Sequence, residues 1–238
     1  MQTKKRNLKI QRDFTLSMLE KPGTYSFMNF ASLTSFFVNP NFDRIRYFCD
    51  GFLMAALIKM ITGKDIKRVS FDFTSIASDF FSYSESNGKK IAIIGAKETE
   101  VQAFVKKMQD KYKGIEKIKF ISGYASPKEV DFFVTEIVAE NIDYTVVGLG
   151  AGKQEEFILR LQCEGFSGTA FSCGGFIRQE SLSSDNYYPK FIDDLNLRAF
   201  YRMYKEPYTI KRYVFDYPKN LLVLLSKLVT NKLTLTLF

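Results

Sequence analysis

The chain has 238 residues, 46% of them hydrophobic and 25% charged, a balance that excludes a disordered or fibrous protein and fits one large α/β domain with an appendage. It has no histidine and three cysteines (Cys49, Cys163 and Cys173) without a CxxC spacing, which argues against Ser–His or Cys–His nucleophiles, a zinc site and a disulfide framework. Its formal net charge of +8 points to an anionic partner: nucleic acid, a phosphorylated substrate or a membrane surface.

The N-terminus is polar and charged, with Lys4, Lys5, Arg6, Lys9 and Arg12, and carries no secretory pattern. "TYSFMNFASLTSFFV" reads as a strand entering a helix. "CDGFLMAALIKMITG" reads as a helix with Gly63 near its end. Its apolar run is short and broken by Lys59, so it does not read as a membrane span. The middle of the chain repeats strand and helix. "KKIAIIGA" is a strand closing at Gly95. "KETEVQAFVKKMQDKYKG" has helical spacing in Val101, Phe104, Val105 and Met108 and stops at Gly114. "IEKIKFISG" is a second strand. "SPKEVDFFVTEIVAENI" is a helix with Ser126 as N-cap and Pro127 at its first position. "DYTVVGLG" is a third strand, "KQEEFILRLQCEG" a helix ending at Gly165, and "SGTAFSCGG" a fourth strand. Such alternation predicts an α/β fold: a Rossmann-like, mostly parallel sheet with helices on both faces and a C-terminal helical appendage. The last fifty residues read as helical, with "LNLRAFYRMYKEP" stopping before Pro207, and then irregular. From Lys190 onward, nine Lys/Arg face four Asp/Glu, which is +5 of the +8. The expected division is a core over 1–186 and a basic, aromatic appendage over 187–238.

Ligands of open parallel sheets bind outside the carboxyl ends of the strands, where Gly95, Gly123, Gly148 and Gly150 fall. "GLGAG" has neither GxGxxG spacing nor a P-loop ending, so it is either a nucleotide cradle or only a strand-to-helix turn. Glu155 and Glu156 suit the positive end of the following helix. Gln154 gains nothing comparable there, and an amide at this place can bond a base, ribose or sugar hydroxyl. Asp50, before Gly51, stands between an apolar run and an apolar helix. It is either that helix's N-cap or a general base facing a cleft, and in a chain without histidine the base is expected to be a carboxylate.

These pieces occur in one order: "FMN" at Phe27–Asn29, "DG" at Asp50–Gly51, "KRV" at Lys67–Val69, "VVGLGAGKQEEF", "FSCGGF" and "LNLRAFYRMYKEPYTIKRY". That order resembles the WecG/TagA/CpsF family of bacterial glycosyltransferases, glycosyltransferase family 26, over roughly residues 10 to 215. "GLG" followed by "KQE", and the tail "L…YR…EP…RY", are its specific parts. The resemblance implies inverting transfer of a sugar from a UDP-sugar to an undecaprenyl-diphosphate-linked saccharide, in the synthesis of cell-surface polymers such as capsule or exopolysaccharide. The implied sugar is of the N-acetylmannosamine type, its uronate, or another hexose. No metal or other cofactor is implied. The implied base is Asp50, and the implied substrate-binding residues are Asn29, Gly51, Arg68, Gly95, Gly123, Gly148, Gly150, Lys153, Gln154 and Glu155. Arg202 and Arg212 match an appendage that closes over the active site at the cytoplasmic face of the bacterial membrane, so peripheral membrane association is implied and a nucleic-acid partner is not. A homo-oligomer is compatible with the sequence.

The chain departs from the family pattern at Gly152, where proline is usual, and at Phe71–Phe73, where glycine and aspartate are usual. It departs again at Ile177-Arg178, at Tyr187-Tyr188-Pro189, and at Arg198-Ala199, which replaces Glu-Trp. Two rivals stand beside this reading. A dehydrogenase would need a dinucleotide fingerprint that the chain lacks. A non-catalytic or divergent member of the same fold would bind nucleotide or lipid without transfer.

Overall fold

The structure, a computed structural model, describes residues 5–183, 187, 192 and 197–238. Lys4 of the N-terminal basic cluster and the Tyr188-Pro189 departure lie outside the described residues. In chain order the first elements are β1 (Arg6–Gln11), β2 (Gly23–Met28), α1 (Leu33–Val38), β3 (Arg46–Cys49), α2 (Phe52–Thr62) and α3 (Ala77–Ser86). Then come β4 (Lys90–Gly95), α4 (Glu98–Lys111), β5 (Lys117–Ile121), α5 (Pro127–Ala139), β6 (Tyr144–Gly148), α6 (Lys153–Cys163), β7 (Thr169–Ser172) and α7 (Phe176–Ser181). The C-terminal part holds α8 (Arg198–Lys205), α9 (Tyr217–Val229) and β8 (Leu233–Leu237). The chain forms two compact units, one of Met1–Asp13, Phe27–Ser70 and Tyr188–Phe238, the other of Phe14–Ser26 and Phe71–Tyr187.

The second unit is the part with regular strand–helix alternation. Its strands lie in the order β5-β4-β6-β7, with the first residues of β2 beyond β7, all parallel. Parallel strands covered on both sides need continuous apolar runs, and Ile91 to Ile94 and Tyr144 to Val147 are buried throughout. The helix α4 buries Val101, Phe104, Val105 and Met108, the spacing of one helical face. The start of α5 is fixed by a reciprocal cap: Glu129 N–H donates to Ser126 Oγ at 3.4 Å, and Ser126 N–H donates to the Glu129 carboxylate at 2.7 Å. Phe133, Val134 and Ile137 of α5 then pack with Ala92, Ile94, Val147, Ile158 and Leu161 in one core cluster.

The first unit has the parallel order β3-β1-β8. The end of β3 reaches β2, where Asp50 N–H donates to the Met28 carbonyl at 2.8 Å. The irregular ending expected from the sequence is corrected here. "LTLTL" is the strand β8, paired residue for residue with β1 from Arg6↔Leu233 to Ile10↔Leu237. Its Leu/Thr alternation has the period of a strand, and the Thr236 hydroxyl donates to Asn7 Oδ1 at 2.9 Å. The segment read as an appendage, from 188 onward, is grouped in this unit with residues 1–13 and 27–70. Asn220 of α9 is buried and donates to the Phe30 carbonyl at 2.6 Å. Arg6, one of the N-terminal cations, is an internal clamp: it pairs with Asp43 at 2.7 Å, donates to the Phe36 and Asn39 carbonyls, and lies over the Phe36 ring.

Close packing explains three of the strand-end glycines. Gly95 and Gly148 are partners across the β4–β6 ladder. A Cβ on Gly95 would stand 2.7 Å from the Gly148 carbonyl oxygen and 2.8 Å from Ile177 Cδ1. A Cβ on Gly123 would meet Leu149 and the Gly95 backbone at 3.0 to 3.2 Å. The Gly95→Ala variant is therefore expected to lose about 1–3 kcal/mol of stability by overpacking. Urea titration of the full chain measures this, and an unchanged midpoint would show that the strand ends can open without cost.

Candidate functional site

In the first unit, Asp50 follows the last residue of β3 and is half-buried. It is not the N-cap of α2. That place belongs to Gly51, whose φ of 114° lies in the region that favours glycine. The carboxylate is therefore not spent on the helix start. Asn29 Nδ2 donates to Asp50 Oδ2 at 3.3 Å. The orientation of that amide follows from its neighbours: Asn29 Oδ1 accepts from Ala31 N–H at 3.0 Å and Ser32 N–H at 3.3 Å. The local Asx turn uses the acceptor side and turns the donor side toward Asp50.

The surroundings of Asp50 come from the C-terminal segment. Residues Arg212–Asp216 form a π-helical turn that runs into α9, a local form often found at functional sites. Tyr213 and Tyr217 lie on it with ring centroids 4.9 Å apart, and Tyr217 meets Phe30 edge-on. Burial pushes both phenols above their ordinary value. Arg202 and Arg212 oppose that rise at both, and the negative charge of Asp50 adds to it. Asp50, Arg202 and Arg212 thus act on the same pair of rings. Arg202 is itself held by Glu206, whose carboxylate accepts its Nε–H at 3.0 Å; Glu206 is buried. Arg68 lies alongside β3: it bridges Cys49, and Val69 N–H donates to the Cys49 carbonyl at 3.0 Å. Burial, and then the charge of Asp50, push the Cys49 thiol up to about 12, which keeps it protonated and unreactive.

In the second unit, the turn after β6 leads into α6 through Gly150 and Gly152, with φ of 84° and 89°. Proline, with φ locked near −65°, could not adopt the Gly152 conformation. Nor could it make the bond observed there, since Gly152 N–H donates to Glu155 Oε2 at 2.7 Å. Glu155 does more than suit the helix dipole. It is buried, and its other oxygen accepts from Ser26 Oγ at 2.5 Å and from Gln154 Nε2 at 3.0 Å. A carboxylate only accepts, so Gln154 must turn its NH2 toward Glu155. That leaves Gln154 Oε1 as a buried acceptor with no hydrogen-bond partner among the described residues. It fits an N–H or O–H of a ligand. Lys153 is exposed, and a Cβ on Gly150 would meet nothing within 4 Å. Among the sequence-predicted glycines of this unit, Gly95, Gly123 and Gly148 have an internal steric reason to be glycine, whereas Gly150 faces open space.

The structure brings Asn29, Asp50, Gly51, Arg202 and Arg212 together in one unit, with Arg68 beside the strand that carries Asp50. It brings Gly150, Lys153, Gln154 and Glu155 together in the other. Sequence reasoning missed Tyr213, Tyr217 and Ser26. The two tyrosines carried a signal in their four-residue spacing, while Ser26 carried none. Among the described residues, no group of three or more His, Cys, Asp or Glu stands close enough to hold a metal ion.

The family model for the glycosyl transferase WecG/TagA/CpsF family matches residues 13–234. A UDP-Gal:alpha-D-GlcNAc-diphosphoundecaprenol beta-1,4-galactosyltransferase of Shigella boydii is 33% identical over 214 residues, which cover 88% of this chain and 90% of that relative.

Removing the Glu155 carboxylate leaves two buried donors and one part-buried donor without their acceptor. Glu155→Ala is expected to cost about 2–3 kcal/mol, against less than about 0.5 kcal/mol for the exposed Glu156→Ala. Equal denaturation midpoints for the two variants would refute the hub role of Glu155.

Proposed function

This chain belongs to the glycosyl transferase WecG/TagA/CpsF family, and from that premise we propose that it moves a hexose from a UDP-sugar to an undecaprenyl-diphosphate-linked saccharide, with Asp50 as general base. The chain is a glycosyltransferase. The observation that carries the residue assignment is Asp50 itself: a carboxylate at a strand's carboxyl end that does not cap the following helix, is contacted by the Asn29 amide, and acts with Arg202 and Arg212 on the same tyrosines.

In this reading the acceptor hydroxyl oxygen attacks the anomeric carbon as Asp50 takes its proton. The new C–O bond forms on one face, and the bond to UDP breaks on the other with its electron pair leaving on the diphosphate. A β linkage formed from an α-linked donor is the product of such an inversion. The departing charge needs cations or N–H donors in the transition state. The reading gives that work to Arg68, Arg202 and Arg212 and asks for no metal ion. Gln154 Oε1 is assigned to an N–H of the uracil or a hydroxyl of the donor, with the open turn at Gly150 beside it. The relative's name makes UDP-galactose the first donor to test, ahead of the N-acetylmannosamine type.

Membrane association belongs to the same proposal. Among the described residues no helix is long and apolar enough to cross a membrane. The helix α2, which begins two residues after Asp50, is apolar on two sides. It buries Met54, Ala55 and Ile58 and exposes Phe52, Leu53 and Met60, the last by 75%. A helix apolar all round needs a second apolar environment. The C-terminal segment adds exposed Phe200, Phe215 and Leu222. With a net charge of +8, these faces suit an anionic bilayer.

Two outcomes follow. With UDP-galactose and a short-chain polyprenyl-diphosphate-GlcNAc acceptor, Asp50→Asn is expected to lower kcat roughly 10²–10⁴-fold while UDP binding is kept. Near-normal turnover would sink the base assignment, and UDP binding without transfer from any donor would favour the non-catalytic alternative. In sedimentation with vesicles, the chain is expected to bind phosphatidylglycerol-containing membranes, and Phe52→Ser/Leu53→Ser to bind them less. Equal recovery of both proteins in the supernatant would refute the membrane assignment.

A further inference from the structure

We propose that Asn220 of α9 is a positioning residue for Asp50: acting through one peptide group, it sets which end of the Asn29 amide faces the carboxylate. Asn220 Nδ2 donates to the Phe30 carbonyl at 2.6 Å, and Asn220 Oδ1 accepts from the Thr34 hydroxyl at 2.9 Å. The Phe30 carbonyl and the Ala31 N–H are the two ends of the same planar peptide and point opposite ways. That N–H donates to Asn29 Oδ1 at 3.0 Å, and Asn29 Nδ2 donates to Asp50 Oδ2 at 3.3 Å. All of these residues belong to the first unit.

The polarity of every step is determined. A backbone carbonyl only accepts, so Asn220 must turn its NH2 to Phe30 and its oxygen to Thr34. A backbone N–H only donates, so Asn29 must turn its oxygen to Ala31 and Ser32 and its NH2 to Asp50. The series from Thr34 through Asn220, the Phe30–Ala31 peptide and Asn29 therefore runs in one direction and ends in a donor on the carboxylate. Hydrogen bonds aligned in this way polarise one another. A peptide rotated the other way would aim its oxygen at Asn29, favour the reversed amide and set an oxygen against the carboxylate.

Helix docking alone does not ask for asparagine at this place. Asparagine is a poorer helix former than alanine or leucine, and a buried amide costs stability unless its ends are bonded. Asn220 is the fourth residue of α9 and is only 3% exposed. The apolar contacts of the helix are supplied by its neighbours: Tyr217 meets the Phe30 ring edge-on, and Leu224 is fully buried. Spacings of three and four residues put Tyr217, Asn220 and Leu224 on one face. Tyr217 therefore holds the Phe30 ring while Asn220 holds the Phe30 carbonyl, and a helix 190 residues downstream is tied to the turn that carries Asn29.

The proposal rests on the reading of Asp50 as general base, and its test separates the two. The side-chain NH2 signal of Asn29 in nitrogen-15 NMR of the full chain, identified by its absence in Asn29→Ala, is expected to move in Asp50→Asn and in Asn220→Ala. Thr34→Val, at an exposed position, removes only the hydroxyl that orients Asn220 and is expected to move the signal less, so the test holds even where Asn220→Ala fails to fold. With UDP-galactose and the lipid-diphosphate acceptor, Asn220→Ala is expected to lower kcat about 10–100-fold with the KM for UDP-galactose unchanged. The double variant Asn29→Ala/Asn220→Ala is expected to be no slower than Asn29→Ala alone, because both act by one route. An Asn29 signal unmoved in Asn220→Ala and Thr34→Val, or losses of kcat that multiply in the double variant, would overturn the proposal. A signal that moves in a chain whose Asp50→Asn variant turns over normally would keep the positioning of Asn29 by Asn220 and reject the general base.

Discussion

Parallel strands cannot be joined by a tight hairpin, and this constraint shapes both units. Each strand must be left by a turn at its carboxyl end and regained through a crossover. Turns therefore collect at one end of every ladder, and the residues there are chosen for backbone shape before chemistry. In the second unit this yields Gly95 against Gly148, with Gly123 pressed on Gly95. In the first unit it yields Asp50-Gly51 after β3. Because Gly51 takes the positive-φ position and serves as N-cap, the carboxylate beside it does not cap the helix.

A chain without histidine is expected to take its acid–base chemistry from carboxylates, and Glu155 and Asp50, both near the turns, sit in different surroundings. Glu155 is saturated: Gly152 N–H, Ser26 Oγ and Gln154 Nε2 all donate to it. It holds the start of α6 and, through Gln154, sets which end of an amide faces outward. Asp50 accepts from Asn29 Nδ2 at 3.3 Å and acts, with Arg202 and Arg212, on the Tyr213 and Tyr217 phenols. A carboxylate with three donors on two oxygens organises the backbone around it.

Much of the second unit was legible in the sequence, because its strands are continuous apolar runs and its helices carry their own caps. Ser126, Pro127 and the spacing Val101, Phe104, Val105, Met108 are local signals, and they were sufficient. The first unit was less legible. Its strand β8 is far in sequence from its partner β1, and "LTLTL" falls in the part read as irregular until the pairing with Arg6–Ile10 gives it a reason. The same distance hid Asn220, whose partner Phe30 lies 190 residues away. Resemblance to a family located Asp50, Asn29 and Gln154, but the unpartnered oxygen of Gln154 and the Asx turn behind Asn29 are properties of packing that no motif states. The glycine at 152 shows the reverse case. In the sequence it is only a departure from a pattern, whereas its φ of 89° and its bond to Glu155 make it a local requirement of this turn.

The two tyrosines bear on how the first unit can carry so much charge at one place. Tyr213 and Tyr217 are pushed upward by burial first, and Asp50 pushes both in the same direction. Their phenols therefore stay neutral through the physiological range and contribute polar O–H groups without adding negative charge. Had either ionised, it would have offset Arg202 and Arg212, which pull on the same rings. Keeping the phenols neutral leaves the Asp50 carboxylate as the anion and Arg202 and Arg212 as the cations that act on these rings. The aromatic content of the tail and its positive charge are thus two parts of one electrostatic arrangement.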